Sequence, residues 1–300
     1  MAPSPFSRIV LLGDTGYIGS RLAAAFKAAA PDLPVVGRSA PSLDLTAPDA
    51  AGALEAILDG DCALVVCAAI KKQLGDTLEI FQQNLAIVSN LCRALEACPV
   101  RRVIFFSSAA VYGEDVQHGV IDESTAVQPT SLYGIGKFTA ERLLARTAAQ
   151  QRLSLLMLRP ALVYGPREPA YYYGPSGFLR NTLAGAPITL WGDGEELREF
   201  VFIDDIVSLT TQLTFGDTTG VLNIVSGTSY SYAQALATVR TVTGTQPAVT
   251  SRPRTKDKVD HRFDPARLVQ ACPGFTFRSL DDGLRRVTAE ITAPAPGAHP

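Results

Sequence analysis

The sequence predicts an α/β fold, a doubly wound parallel sheet with helices on both faces, and three observations predict it. Short runs that are almost wholly apolar recur along the first half of the chain, amphipathic stretches long enough for helices separate them, and a glycine-rich turn joins the first run to the first helix. Strands this apolar are covered on both faces, and strands spaced by whole helices run parallel. With 300 residues, 47% of them hydrophobic and 19% charged, the chain can bury roughly three quarters of its unfolded surface. That suits one large domain or two intimate ones.

Residues 8–13 read as the first strand, and 17–30 as the helix after it, with Ile18, Leu22, Phe26 and Ala29 on one face. The alternation continues with strand 34–37, helix 48–58, strand 63–67, helix 81–97, strand 102–107, helix 133–150 and strand 154–158. After Arg159 and Pro160 the rhythm breaks. Glycines, prolines and three consecutive tyrosines, Tyr171, Tyr172 and Tyr173, predict long loops with one short helix at 178–184. Helix 204–214, strand 221–225, helix 231–242 with Ser231 as its N-cap, and helix 280–291 follow. The expected division is a first domain at 1–160 completed by parts of 200–230, a small lobe at 161–291, and a disordered tail at 292–300 rich in Ala and Pro.

Composition excludes several functions. A formal net charge of −2 offers no basic field for nucleic acid. The apolar stretches at 9–12 and 64–70 fall far short of the roughly 20 residues that cross a bilayer, so no membrane span is expected. Residues 1–7 carry no basic cluster ahead of an apolar core, which argues against a secretory signal and for a cytoplasmic protein. Five cysteines without a CxxC pair read as reduced thiols. His118, His261 and His299 lie far apart, and no metal site is expected.

Gly13, Gly16 and Gly19 sit between the first strand and the first helix in a GxxGxxG spacing. Glycines there permit a tight turn and close approach of the backbone to a pyrophosphate, whose charge is stabilised by the free N–H groups at the helix start. A Rossmann-like dinucleotide site follows, with Thr15, Tyr17 and Ile18 in the same turn. At the end of the second strand, where an acid would bind the ribose hydroxyls of NAD, the chain has Gly37, Arg38 and Ser39. Arg38 and the Ser39 hydroxyl suit a 2′-phosphate, which favours NADP; if Arg38 only stacks on adenine, NAD is acceptable. Asp44 and Leu45 are candidates for an adenine contact or for loop structure.

Tyr133 and Lys137 lie four apart on one face of a helix. A cation at that distance lowers the phenol pKa from about 10 toward a useful range. Ser107 and Ser108 end an apolar strand at the carboxyl edge of the sheet, where ligands of such folds bind.

These features, with Cys67-Ala68-Ala69, Asn84, the run Phe-Ser-Ser-Ala-Ala-Val-Tyr-Gly at 106–113, Arg159-Pro160, Gly192-Asp193-Gly194, the run at 198–205 and Asn223, resemble the extended short-chain dehydrogenases/reductases of the nucleotide-sugar epimerase, dehydratase and reductase group over about residues 8–290. The resemblance implies that Tyr133 exchanges a proton with the sugar oxygen, that Lys137 binds the nicotinamide ribose, and that Ser108 hydrogen-bonds the reacting oxygen, with Ser107 its rival. It places Cys67, Ala68, Ala69, Ser107, Pro160 and Val163 along the cofactor. Arg198 would clamp the nucleotide diphosphate, and Arg252 or Arg254 would add a second phosphate contact. Dehydratases of the group resemble Thr-Asp-Glu where this chain has Ser108-Ala109-Ala110, which argues against dehydration. Relatives also place an asparagine soon after the segment at 164–166, whereas here Glu168, Pro169, Ala170 and the tyrosines intervene before Asn181. The tyrosines line the pocket or pack the lobe.

The leading expectation is NADPH-dependent reduction of a nucleotide-linked 4-keto-6-deoxy sugar with Tyr133 as proton donor, because residues 37–46 resemble reductases that take up and release NADPH. The alternative is an epimerase with tightly bound cofactor, and a third class is a non-catalytic dinucleotide sensor. The resemblance also implies a homodimer formed through the helices at 81–97 and 133–150.

Overall fold

A computed structural model describes residues 4–168 and 173–292. Six strands, β1 (Ile9–Leu12), β2 (Val35–Arg38), β3 (Ala63–Val66), β4 (Arg102–Phe106), β5 (Ser154–Pro160) and β6 (Gly220–Ile224), form one sheet. Their order is β6-β5-β4-β3-β1-β2, and every neighbouring pair is parallel. Ile9 registers with Val35 on one side and Ala63 on the other. The winding direction therefore reverses at β1, and the carboxyl ends of β1 and β3 diverge into a crevice, the place where open α/β sheets bind ligands.

The apolar runs are continuous because both faces of the sheet are covered. Successive strand residues point to opposite faces, so Ile9 and Leu11 pack with Leu22 and Phe26 of helix α1 (Gly19–Ala29). Val10 and Leu12 pack on the other side with Leu54 of α2 (Ala50–Glu55), Leu91 of α3 (Leu78–Ala97) and Leu144 of α4 (Leu132–Gln151). The first core continues beyond the sheet through Phe178 of α5 (Pro175–Leu183), Ile206 of α6 (Ile203–Phe215), Leu236 of α7 (Tyr232–Thr243), Leu268 of α8 (Ala266–Ala271) and Leu284 of α9 (Leu280–Thr292).

Several expected boundaries move for local reasons. Helix α3 begins at Leu78 because the Thr77 hydroxyl accepts the Ile80 N–H at 3.3 Å. Helix α2 is shorter than 48–58, and Leu58 N donates back to both Leu54 O and Glu55 O as the last turn tightens. Ser231 caps α7 as expected, in a reciprocal box: its hydroxyl accepts the Gln234 N–H at 3.0 Å while its own N–H donates to Gln234 Oε1 at 2.8 Å.

The stretch read as loops also holds a strand, Ile188–Trp191, paired in parallel with Val249–Arg252. Neither segment announces the other in the sequence. Tyr171, Tyr172 and the tail from residue 293 onward lie outside the described residues, whereas Thr292 ends α9. Among the described residues, no helix is long and apolar enough to cross a membrane, and no cluster of three His, Cys, Asp or Glu could hold a metal ion.

Candidate active site

The glycine turn is closed so tightly that side chains are excluded from it. Gly13 has φ +88°, donates its N–H to Arg38 O at 2.7 Å, and a Cβ there would lie 2.8 Å from Ala68 N. A Cβ on Gly19 would lie 2.0 Å from Gly13 O. The first turn of α1 carries no acidic side chain and no side-chain cap, and Ser20 N–H donates back to Gly16 O at 2.9 Å, so the positive end of the helix dipole meets the turn with no carboxylate of its own to neutralise it. The residues present fit a dinucleotide pyrophosphate. Tyr17, Ile18, Cys67, Ala69, Pro160 and Val163 all line the cleft that opens beside the turn, a cavity of about 860 Å³.

At the end of β2 the structure departs from the sequence reading. The Ser39 hydroxyl donates to Asp14 Oδ1 and accepts the Thr15 N–H at 3.1 Å. A carboxylate thus stands where the sequence showed none, brought there by the glycine turn and not by the second strand. Arg38 folds back to donate to Gly37 O at 2.8 Å. Asp44 is spent locally, accepting Thr46 N–H at 2.9 Å and Thr46 Oγ1 at 2.7 Å, bonds that hold its carboxyl below the ordinary carboxylate range. Leu45 is a core side chain packed with α3. Its carbonyl accepts from Asn90 Nδ2 at 3.0 Å.

Tyr133 and Lys137 project from the first turns of α4. Ser131 caps that helix by accepting the Gly134 N–H at 3.1 Å, and the Asp76 carboxylate accepts the N–H groups of Tyr133 at 2.8 Å and Leu132 at 3.2 Å. Lys137 donates to Phe106 O at 2.6 Å, and its Nζ lies 5.9 Å from the centre of the Tyr133 ring. The expected depression of the phenol pKa is not what the structure gives. Burial pushes Tyr133 up to about 12, Ser108 pulls it back by a hydrogen bond, and Glu114 adds to the rise. Burial likewise brings Lys137 down to about 8. Desolvation is the largest cause of both shifts.

The two serines have different partners. Ser107 is buried and donates to Glu141, which is paired with Arg159 through Nε at 2.8 Å and Nη2 at 2.6 Å. Arg159 also donates to Tyr112 OH at 2.8 Å, and Tyr112 donates to Asn223 Oδ1 at 2.8 Å. This buried network ties β4, β5 and β6 to α4. Ser108 is left facing Tyr133 while its Oγ accepts the Ala110 N–H at 3.1 Å.

In the second lobe, Arg198 lines the cleft with a side chain 14% exposed, bonded to Glu196 Oε1 at 2.7 Å and Val259 O at 2.6 Å. Tyr173 both packs and lines: its ring centre is 4.2 Å from that of Tyr232, its hydroxyl accepts the Trp191 N–H at 3.0 Å, and all three border the cleft. Arg252 lies on the exposed strand beside Trp191 and is not among the residues that line the cleft. Arg254 pairs with Asp193, and Lys256 is the basic residue of that segment that borders the cavity.

Sequence reasoning missed Asp14, Asp76, Glu199 and His261. Glu199 and His261 are buried on the cleft wall. Burial raises Glu199 to about 7, and burial followed by the Arg198 charge lowers His261 to about 4. Both are surrounded by segments distant in sequence, so no local pattern marks them.

Residues 9–224 match the model of the NAD dependent epimerase/dehydratase family. The chain belongs to that family. Its match to the uncharacterised UDP-glucose epimerase YtcB of Bacillus subtilis strain 168 is 34% identical over 124 residues, covering 40% of this chain and 38% of that protein. The alignment thus spans less than half of the relative's length. Among solved structures, MoeE5 in complex with UDP-glucose and NAD superposes on this epimerase/dehydratase-family chain with a TM-score of 0.79 at 27% identity, covering 95% and 100% of the two chains. RMD from Pseudomonas aeruginosa complexed with NADPH superposes at 0.80 with 21% identity, covering 94% and 98%. Nucleotide sugars and both dinucleotides thus occur among the neighbours of this family member.

Proposed function

We propose that the protein interconverts a hydroxyl and a keto group at C4 of a nucleotide-linked hexose, acting as a 4-epimerase. The observation that carries this reading is the placement of Ser108 and Tyr133 side by side on a cleft that runs from the glycine turn to Arg198 in the second lobe. The bound dinucleotide supplies the acceptor and donor of hydride. Tyr133 removes the proton of the sugar hydroxyl as the carbon is oxidised and returns it when hydride is delivered to the other face. Ser108 holds the same oxygen; Tyr133 carries the proton as a neutral phenol between the two events, and Lys137 is the cation that stabilises the phenolate before the proton is taken and after it is returned. Arg198 holds the diphosphate. Ala109 and Ala110 leave no acid or base for loss of water.

Reduction of a 4-keto sugar is the second reading, favoured by a Tyr133 that keeps its proton to about pH 12. The sequence placed it first because residues 37–46 resemble reductases that take up and release NADPH, and the Asp14 carboxylate beside Ser39 weakens the NADP part of that argument. The two readings differ in redox balance. With UDP-glucose and the oxidised dinucleotide, an epimerase yields the C4 epimer, seen by NMR, with no net change in absorbance at the reduced-nicotinamide band. Stoichiometric oxidation of NADPH on a 4-keto nucleotide sugar, with no epimer formed, would replace the first reading by the second. Neither reaction on any nucleotide sugar would remove both.

A further inference from the structure

Asp14 is unusually placed for a glycine-turn residue. Its carboxyl group sits over the carboxyl end of β2 in the space left by the absent side chain of Gly37, where a Cβ would lie 2.1 Å from Asp14 Oδ2. Oδ1 accepts a hydrogen bond from the Ser39 hydroxyl, whose oxygen in turn accepts the Thr15 N–H at 3.1 Å. A hydroxyl has one proton to give, so Ser39 has none left for a phosphate. Among the described residues Oδ2, which lies against Gly37, receives no hydrogen bond, which leaves it as an acceptor at the end of β2. Arg38 already spends one N–H on Gly37 O at 2.8 Å.

From this geometry we propose that Asp14 selects NAD over NADP by accepting hydrogen bonds from the adenine ribose hydroxyls and repelling a 2′-phosphate. The chemistry is that of the acid found about twenty residues past the glycine turn in NAD-binding folds. Here the carboxylate reaches the same place from within the turn itself, and Gly37 and Ser39 are shaped to receive it. The assignment rests on the dinucleotide reading of the cleft.

Calorimetric titration of the purified protein, freed of copurified dinucleotide, with NAD and with NADP tests it without any substrate. Wild type should bind NAD at least tenfold more tightly. Asp14→Asn keeps the shape and removes the charge, so NAD should weaken by about tenfold, the worth of one charge-assisted hydrogen bond, while NADP holds or tightens and the preference falls toward parity. Ser39→Ala should leave NADP affinity unchanged. A wild type that prefers NADP, an Asp14→Asn protein with the wild-type ratio, or a selective loss of NADP in Ser39→Ala would each overturn the assignment while leaving the proposed function standing. A folded wild type that binds neither dinucleotide would overturn both.

Discussion

At the scale of single residues, function turns on protons held at raised or lowered pKa by burial. Tyr133→Phe keeps the ring and removes the proton, so kcat should fall by about 10² to 10⁴, the usual worth of a positioned acid or base, with dinucleotide affinity unchanged. Ser107→Ala and Ser108→Ala should then separate cleanly. Loss of Ser108 should lower kcat, whereas loss of Ser107 should lower the unfolding midpoint and spare kcat, because its hydroxyl serves Glu141. The reverse pattern in steady-state kinetics would exchange their roles. Glu199 carries a pH prediction. Its carboxyl is raised to about 7 by burial, against an ordinary value of 4.5, so the native state binds its proton more tightly than the unfolded chain does. Its contribution is fully present below the unfolded pKa and is lost as pH rises toward 7. Glu199→Gln, which can still accept from Ser226 and Gly227, should therefore raise the thermal midpoint at pH 8 and not at pH 4.5. Equal shifts at both pH values would show that the effect is not titration.

At the scale of elements, caps do much of the positioning. Ser231→Ala removes one half of the box that starts α7 and should cost about 1 kcal/mol in urea unfolding, with no change in dinucleotide binding, since α7 touches the second lobe. The same physics explains what was legible beforehand. The strands and helices of the sheet could be read because each is signalled within a dozen residues, by an apolar run or a helical stripe. The GxxGxxG turn and the Tyr133 to Lys137 spacing were legible for the same reason. The strand Ile188–Trp191 was not, because its partner Val249–Arg252 lies in a distant segment. Asp14 was visible as a residue, yet its meaning depends on β2 lying beside β1, a fact of the folded sheet. Burial likewise reverses the pKa argument for Tyr133, since spacing reports a neighbouring cation and says nothing of lost water.

At the scale of the whole molecule, the proposed function puts chemistry at one end of the cleft and anchoring at the other. Ser108, beyond the end of β4, lies with Tyr133 and Lys137 of α4 at one end, while Tyr173, Trp191 and Arg198 come from the segment after β5. Binding energy gathered far from the reacting carbon lowers KM and, where it orients the sugar, supports kcat. Arg198→Ala should thus raise KM for a nucleotide sugar by about tenfold or more, as expected for a lost charge-assisted contact to phosphate, and leave dinucleotide affinity intact. Arg198 also braces its own lobe by donating to Val259 O at 2.6 Å and pairing with Glu196 at 2.7 Å, so a looser lobe could mimic a lost ligand contact. Glu196→Gln separates the two. It weakens the internal ion pair but leaves the guanidinium in place and less neutralised, so KM should hold or fall if Arg198 meets the diphosphate. If Glu196→Gln raises KM as much as Arg198→Ala does, the arginine works by bracing the lobe, and the diphosphate is held by other residues of the cleft.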